Sequence, residues 1–352
     1  MSLHPPVLSV IDPGSQPSAL ADVRDLLATK GLSVDPDVEL FVTARREGRL
    51  VGCLGLAGNV IKCSAVADAE RGTGLSARLM EEMNYQALSR GRSHLFVYTK
   101  PTNRGIFESL GFTLLAEVPG TVILMENQPF ALKRTCRALA DQRVPGERIA
   151  GVVLNANPFT LGHQYLVETA AAECDAVHVW VVSEDASMFS AADRLALVRA
   201  GCAALPDADR IVVHPGTPYV VSKATFPAYF LNSTTDLVRG IAGLDLQLFR
   251  NHIARVLGIT DRYVGTEPLS PVTRLYNNEM RYWLQEAPSA APPINLRIVP
   301  RRCEGPEPVS ASRVRALIAD GRLDEVEPLV PPTTYAYLRE RFAEATAVSP
   351  VS

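Results

Sequence analysis

The sequence predicts an α/β protein with two domains, an N-terminal α+β domain and a C-terminal domain built on a parallel sheet. In the first part of the chain, segments with helical spacing of apolar residues alternate with strand-rich segments joined by glycine turns. In the second part, solid apolar strands alternate with helices, a pattern typical of a parallel sheet covered on both faces. A length of 352 residues suits two domains of ordinary size.

The N-terminal domain is predicted to span residues 1–127. Its helices are "SALADVRDLLATKGL", "LSARLMEEMNYQALSRG" and the short "NRGIFESLGF", each with a glycine near its end. Its strands are "HLFVYTK" and two or three within "VELFVTARREGRLVGCLGLAGNVIKCSAVA", where Arg46-Glu47-Gly48 predicts a hairpin turn. The segment "PFALKRTCRALADQRVPGER" predicts a helical linker over residues 128–148, because its periodicity is weaker and it ends in a Pro-Gly turn.

The C-terminal domain is predicted to span residues 149–345. Its five strands are "IAGVVLN", "AVHVWVVS", "RIVVHP", "DRYVGT" and "INLRIVP". Its helices include "GHQYLVETAAAE", "SAADRLALVRAGCAA", "LDLQLFRNHIARVLG" and "VTRLYNNEMRYWLQE". Ligands of parallel sheets bind beyond the carboxyl ends of the strands, where the strand order reverses. The turns that follow these strands are therefore the expected place for functional residues.

Composition argues against several classes of function. The charged fraction is 21% and the formal net charge is −3, so no broad basic surface for nucleic acid or a membrane is expected. The six cysteines include no Cys-x-x-Cys pair, which argues against a zinc site or a disulfide framework and indicates a reducing cytoplasm. The N-terminus lacks the pattern of a signal peptide. No stretch reaches the roughly 18 apolar residues of a membrane span, so none is expected.

The stretch "VLNANPFTLGHQYLVETA" places a turn with two asparagines and a proline between the first strand of the second domain and a helix. Gly162 and His163 lie in the first helical turn, where unpaired N–H groups favour an anion. A histidine there can donate to a phosphate as negative charge develops, and Thr160 can cap the helix or contact the same phosphates. We predict an ATP-phosphate site here that also includes Asn157 and Phe159. The alternative is a capped helix with a partly exposed histidine.

A second candidate phosphate site is "VSASRVRAL" near the end of the chain. Ser310, Ser312, Arg313 and Arg315 surround the start of another predicted helix. Hydroxyl groups and arginine at a helix N-terminus bind phosphate well. The alternative is a serine cap followed by solvated arginines. The two stretches, first and last in one α/β unit, together predict a nucleotide site more specifically than either does alone.

Both stretches resemble known motifs. Thr160-x-Gly162-His163 resembles the nucleotidyltransferase motif Thr/His-x-Gly-His. Residues 310–315 resemble the closing Ile-Ser-x-Ser-x-Val/Ile-Arg motif of that superfamily, with Val309 where isoleucine is usual. The longer stretches "NANPFTLGH", "ATFPAYF", "VGTEP", "NNEMRYWL" and "VSASRVR" are similar to the citrate (pro-3S)-lyase ligase family, and the resemblance covers roughly residues 20–340. It implies that the second domain is a Rossmann-like nucleotidyltransferase domain.

The resemblance also implies a reaction. ATP and acetate would give acetyl-adenylate and diphosphate, and the acetyl group would move to the thiol of a dephospho-CoA-type prosthetic group on the acyl carrier subunit of citrate lyase. His163 would contact the α- and β-phosphates and Thr160 would orient the triphosphate. Ser310, Ser312 and Arg315 would hold the departing diphosphate. Mg²⁺ would bridge phosphate oxygens, and no metal-ligating side chains are predicted.

Other residues are weaker candidates. Lys223 follows the third strand of the second domain and could contact a phosphate or a carboxylate, or be a solvated surface lysine. Gly265, Thr266 and Glu267 lie at the carboxyl end of the fourth strand, where nucleoside contacts are expected, although a plain strand-end turn has the same pattern.

In the first domain, "AERGTGLSARLMEEM" places Arg71, Gly72 and Gly74 at the start of a helix, where N–H groups can bind a diphosphate. The stretch resembles the acetyl-CoA signature of GNAT-type acetyltransferases, and "NRGIFESLGF", beginning at Asn103, resembles their second motif. Many of those enzymes have a tyrosine acid where this chain has Phe107. We therefore expect a GNAT-like domain that binds the CoA-like group. A simple nucleotidyltransferase and a non-catalytic nucleotide or CoA sensor are the alternatives for the whole chain.

Overall fold

In the computed structural model, the described residues are 5–183, 188–220, 235–266, 271–305 and 307–346. The chain divides into two compact units, and each is described by itself. The first comprises Met1–Ala131 and Phe226–Leu244, and the second comprises Leu132–Thr225 and Asp245–Ser352. The domain boundaries drawn from the sequence stay a prediction.

The first unit contains a seven-stranded mixed sheet. Its strands are β1 (Val7–Ile11), β2 (Leu40–Arg46), β3 (Arg49–Ala57), β4 (Val60–Val66), β5 (Phe96–Thr99), β6 (Thr113–Val118) and β7 (Val122–Glu126). They lie in the order β1-β2-β3-β4-β5-β7-β6, and β4 and β5 pair in parallel whereas the other pairs are antiparallel. Its helices are α1 (Pro17–Ala28), α2 (Leu75–Leu88) and α3 (Arg104–Ser109). The predicted helices and the strands β2 to β5 are confirmed, while β1, β6 and β7 were not predicted.

Local chemistry explains how this sheet forms. Glu47 and Gly48 both have positive φ, 51° and 79°, in the turn between β2 and β3. Two such residues give a turn whose twist matches that of the flanking strands, as the sequence predicted. Apolar residues of α1 pack on one face of the sheet, and those of α2, together with Phe107 of α3, pack in a second core. This arrangement is an α+β domain.

The second unit contains a five-stranded sheet in which every pair of neighbouring strands is parallel. Its strands are β8 (Ile149–Leu154), β9 (Ala176–Val181), β10 (Ile211–His214), β11 (Asp261–Gly265) and β12 (Asn295–Val299). A two-stranded hairpin follows, with β13 (Cys303–Glu304) and β14 (Glu307–Pro308). All five predicted strands are confirmed.

Along the chain, the remaining helices lie before, between or after these strands. They are α4 (Ala131–Ala140), α5 (Leu161–Glu173), α6 (Ala191–Ala203), α7 (Thr235–Leu248), α8 (Arg255–Leu257), α9 (Pro271–Arg281), α10 (Ala311–Ala319) and α11 (Pro332–Thr346). A π-helical segment, Phe249–Ala254, joins α7 to α8, and another, Tyr282–Glu286, extends α9. Short 3₁₀ segments occur at Asp68–Glu70, Pro101–Asn103, Ala208–Arg210 and Leu323–Leu329. Within the described ranges, no helix is long and apolar enough to cross a membrane.

The order of the strands locates the expected ligand crevice. The sheet runs β10-β9-β8-β11-β12, so successive strands are added on one side of β8 and then on the other. The reversal lies between β8 and β11, and parallel sheets bind ligands beyond the carboxyl ends of the strands at such a point. The turn after β8 and the residues after β11 therefore face the same crevice.

Candidate active site

The turn between β8 and α5 is held in an irregular conformation. Ala156 has a φ of 48°, and the Asn157–Pro158 peptide bond is cis. Asn157 is buried, and its side-chain Oδ1 has no hydrogen-bond partner among the residues that the structure describes. A buried acceptor of this kind is available for a bound donor group or an ordered water.

Thr160 and His163 form a capping box at the start of α5. The Thr160 side chain accepts a hydrogen bond from the backbone N–H of His163, and His163 Nδ1 accepts one from the backbone N–H of Thr160 at 3.1 Å. Because Nδ1 accepts from an amide, the proton of the neutral imidazole lies on Nε2. None of the described residues bonds to Nε2. His163 thus presents one N–H donor that a ligand can use.

The environment keeps His163 neutral. Burial, followed by the positive charge of Arg301, lowers the pKa of His163 from 6.5 to about 4. The ring of Phe159 is stacked against the imidazole, with centroids 5.9 Å apart and planes 14° apart. Phe159 is itself fully buried in the core beneath the sheet. Its side chain therefore supports the histidine, and only its backbone could reach a phosphate.

The two motifs that are distant in sequence lie in contact. Arg315 Nη1 donates to the carbonyl oxygen of Asn157 at 2.6 Å. A Cβ added to Gly162 would lie 3.1 Å from the carbonyl oxygen of Val309, so the backbones approach closely at that glycine. Ser310 caps α10 by accepting from the backbone N–H of Arg313 at 3.2 Å. The starts of α5 and α10 consequently border one crevice.

The side chains of the second motif differ in their partners. Arg315 Nη2 donates to Ser312 Oγ at 3.1 Å, so these two predicted phosphate ligands are joined to each other and to the turn. The Arg313 guanidinium lies 3.4 Å from a carboxylate oxygen of Glu307. A phosphate at α10 would therefore meet Ser312 and Arg315 more readily than Arg313, whose charge is already partly neutralised.

Arg194 is a functional candidate that the sequence analysis missed. It is fully buried, and its Nη1 donates both to the carbonyl oxygen and to Oδ1 of Asn155, each at 2.9 Å. The sequence did contain a signal, since Arg194 lies on the same face of α6 as the buried Leu197, Val198 and Gly201. A charged residue on an apolar helix face needs a specific partner. Here that partner is the turn of the candidate site.

Arg301, just beyond the carboxyl end of β12, was also missed. Its Nε donates to the carbonyl oxygen of Thr266 at 2.7 Å, and its backbone N–H donates to Thr266 Oγ1 at 3.3 Å. Gly265 ends β11 and Thr266 follows it, so both lie at the carboxyl end of the strand as predicted, and Asn277 Nδ2 donates to the carbonyl oxygen of Gly265 at 3.3 Å. Because its charge acts on His163, Arg301 belongs to the same site. The predicted residues Glu267 and Lys223 lie outside the described residues.

The site fits an anionic nucleotide better than a metal bound by protein ligands alone. Its described polar groups are mostly donors and cations: the Nε2–H of His163, the N-terminal N–H groups of α5 and α10, and the guanidinium groups of Arg301 and Arg315. Among the described residues, no group of three or more His, Cys, Asp or Glu could hold a metal ion. Donors and cations without carboxylates match a polyphosphate.

The first unit has a separate candidate site at the start of α2. Gly72 and Gly74 have φ values of 75° and 80°, and a Cβ added at either would have open space. The Arg71 side chain is exposed and pairs with Asp68 at 2.9 Å, while Asn103 Nδ2 donates to Thr99 Oγ1 at 2.8 Å. Glycines in the left-handed region are typical of turns whose backbone N–H groups bind anions.

Phe107 is a core residue of this unit. Only 6% of it is exposed, and its ring packs edge to face against Phe112 at 5.7 Å. It has no hydroxyl group to donate a proton, and its ring is committed to the core.

Two family models and three relatives of known name match this chain. The model of the citrate lyase ligase C-terminal domain matches residues 149–338, and that of the acetyltransferase (GNAT) domain matches residues 30–120. The chain is 44% identical over 325 residues to the [citrate [pro-3S]-lyase] ligase of Escherichia coli (strain K12), covering 92% of each chain. It is 46% identical over 309 residues to the protein of that name in Klebsiella pneumoniae, covering 88% of this chain and 89% of the relative. The protein of that name in Haemophilus influenzae is 41% identical over 322 residues, covering 91% of this chain and 95% of the relative. The chain, with its GNAT-type first domain and its parallel-sheet second domain, belongs to the citrate lyase ligase family.

Proposed function

We propose that this chain is an ATP-dependent acid–thiol ligase. It activates acetate as acetyl-adenylate and transfers the acetyl group to the prosthetic-group thiol of the citrate lyase acyl carrier subunit, which activates citrate lyase. The observation that carries the proposal is the bond from Arg315 to Asn157 at 2.6 Å. It joins the two predicted phosphate motifs at the point where strand order reverses, where a nucleotide site is expected.

In the first step, a carboxylate oxygen of acetate attacks the α-phosphorus of ATP. The bond from that phosphorus to the β-phosphate oxygen breaks, and diphosphate leaves with the electron pair. His163 donates its Nε2–H to a phosphate oxygen in a direction fixed by Thr160 and Phe159. Arg315, Ser312 and the N-terminus of α10 hold the departing diphosphate. The residues contribute position and charge, and no protein nucleophile is needed.

In the second step, the thiol sulfur attacks the acetyl carbon and AMP leaves with the carboxylate-derived oxygen. The thiol proton passes to solvent water as the carbon–sulfur bond forms. We propose that the first domain binds the CoA-like prosthetic group through Arg71, Gly72, Gly74 and Asn103. Phe107 cannot serve as the acid of an acetyltransferase, so this domain is assigned binding without transfer.

When bound, Mg²⁺ neutralises charge on the phosphates. We propose that phosphate oxygens supply most of its ligands, because the described donor set of the site is cationic and amide-rich. We also propose a cytoplasmic location, since all six cysteines are free, which suits a reducing compartment.

Exchange of labelled diphosphate into ATP tests adenylation. We expect exchange that requires acetate and Mg²⁺, and a loss of about 10²-fold or more in the His163→Ala variant, as for other preorganised donors. Arg199→Ala, an exposed position on α6, is the matched control. Diphosphate release that needs a phosphate acceptor instead of acetate would identify a simple nucleotidyltransferase. Tight ATP binding without any release would identify a sensor.

A second assay tests the acceptor. Deacetylated citrate lyase, ATP, Mg²⁺ and acetate are mixed with this protein, and citrate cleavage is followed. We expect activity to return only in the complete mixture. Acetate-dependent exchange without reactivation would keep the adenylation step and reject the proposed thiol acceptor.

A further inference from the structure

A cavity of about 300 Å³ lies in the second unit, apart from the candidate active site. One wall is the helical turn that carries Arg250, Asn251, His252 and Arg255, and the other is Trp283 with the segment 287–291. Both walls include π-helical residues, and such turns occur frequently at functional sites. The cavity volume is at the small end of the range for ligand pockets.

The cavity is at the opposite end of the sheet from the nucleotide site. The helix of the first wall leads into the amino end of β11 at Asp261, and the segment of the second wall leads into the amino end of β12 at Asn295. The candidate active site lies beyond the carboxyl ends of the same strands. Five residues of strand at about 3.3 Å each separate the two ends by roughly 17 Å.

Hydrogen bonds within the protein shape the cavity. Arg250 is 5% exposed, and its guanidinium donates to four carbonyl oxygens, those of Trp283, Ala287, Ala291 and Pro292, at 2.9–3.1 Å. The Arg250 side chain therefore holds the backbone of the second wall in place through four hydrogen bonds. A site held in shape in this way loses little conformational freedom when a ligand binds.

Ser289 connects the two walls. Its hydroxyl donates to Asn251 Oδ1 at 2.6 Å and accepts from the backbone N–H of Ala291 at 3.0 Å. Because the amide oxygen of Asn251 is occupied, the group that this residue still offers is its NH₂, a donor.

The lining carries positive charge without a compensating acid. No aspartate or glutamate is among the residues that line the cavity. The partners of Arg250 are neutral carbonyl groups, and burial lowers its pKa. Arg255 is exposed and forms no ion pair with any residue that the structure describes. Burial, followed by the positive charge of Arg255, lowers the pKa of His252.

We propose that this cavity binds a small oxyanion, a phosphate or carboxylate group on a compact molecule. The Arg255 guanidinium and the Asn251 amide donate to its oxygens, the buried Arg250 adds positive charge beneath it, and the Trp283 ring forms the apolar wall. Cations and N–H donors in a carboxylate-free, preformed cavity are the chemistry that oxyanion recognition requires.

Tryptophan fluorescence tests the proposal independently of catalysis. The chain has two tryptophans, and Trp180 is fully buried on strand β9 whereas Trp283 lines the cavity. The full-length protein is titrated with inorganic phosphate in one arm and with succinate in the other, at constant ionic strength. We expect a saturable change of emission in at least one arm, with a Kd in the millimolar range or tighter. The arm that responds identifies the type of oxyanion.

Three variants separate this cavity from the active site. Trp283→Phe is expected to abolish the signal, and Arg255→Ala to weaken binding about tenfold or more through the loss of a charge-assisted contact. His163→Ala is expected to leave the response unchanged, because anion binding at the nucleotide site would not be reported by Trp283. The absence of a saturable response in both arms, or equal affinity in Arg255→Ala, would overturn the proposal.

Discussion

Two buried histidines predict a sharp loss of stability in acid. His178 on β9 and His214 on β10 are 0% and 1% exposed, and His178 Nδ1 and His214 Nε2, 2.8 Å apart, share one hydrogen bond. Trp180 stacks on His214 with centroids 4.8 Å apart, and the positive charge of Arg199 acts on the same ring. The surroundings are apolar or cationic, so both imidazoles are neutral in the folded protein.

The magnitude follows from the pKa values. Burial lowers the pKa of His178 from 6.5 to about 4, and burial with the charges of His178 and Arg199 lowers that of His214 to about 3. Below pH 6.5 the unfolded chain therefore binds protons that the folded protein does not, and stability falls with pH. At about 1.36 kcal/mol per pH unit, each histidine costs roughly 2 kcal/mol at pH 5, or about 4 kcal/mol for the pair. Above pH 6.5 the cost disappears.

Urea unfolding at pH 7 and pH 5 measures this effect. Both tryptophans lie in the second unit, so their emission reports its unfolding. Between the two pH values, we expect the free energy of unfolding of the unmodified protein to fall about 4 kcal/mol more than that of the His178→Asn/His214→Asn variant. Each single variant should remove about half of the difference. Equal losses in the unmodified and double-variant proteins would refute the reasoning.

Three further predictions concern the candidate active site. Because the pKa of His163 is about 4, kcat/KM for diphosphate exchange should show no inflection near pH 6.5, and an inflection there that disappears in His163→Gln would contradict a neutral donor. Arg194→Met removes two charge-assisted bonds to Asn155, each worth about 1.5–3 kcal/mol, so kcat/KM for ATP should fall by about 10²-fold or more, whereas Arg199→Met should change it little. Gly162→Ala places a methyl group 3.1 Å from the carbonyl oxygen of Val309, beside the second motif. Isothermal titration should then show ATP binding weakened by about tenfold. Unchanged binding would show that the two motifs need not be in contact.

Much of the second unit follows from its sequence. Its five strands are apolar almost throughout, because both faces of a parallel sheet are covered, and such runs are easily recognised. In the first unit, the edge strand β1 was harder to predict. β1 has the burial pattern of an edge strand, with alternate residues exposed or half-buried, and its short "VLSVI" segment carries little signal. The π-helical extension of α9 continues an ordinary helical pattern, and periodicity does not distinguish the two.

Some residues of the candidate site have a local sequence pattern, and others do not. Thr160, His163 and the residues of the second motif could be predicted because the start of a helix has a recognisable local sequence pattern. Arg194 and Arg301 were not, since their roles depend on which strands are neighbours. Arg194 contacts residue 155 across an interval of 39 residues, and Arg301 contacts Thr266 across 35. Contacts of that range are fixed by strand order, which local patterns do not specify.

The positive charges around the site are consistent with a role for a neutral histidine. Arg194 and Arg315 bond to backbone oxygens of the turn, and Arg301 lies near enough to His163 to lower its pKa. In the proposed site, these three cations would attract a polyphosphate before any histidine is protonated. A fourth positive charge would bind the starting triphosphate and the products more tightly without favouring the transition state over either. In the proposed reaction, a neutral N–H held in one direction by Thr160 would instead bind most strongly where charge develops on a phosphate oxygen, which is the contribution that displacement at phosphorus requires.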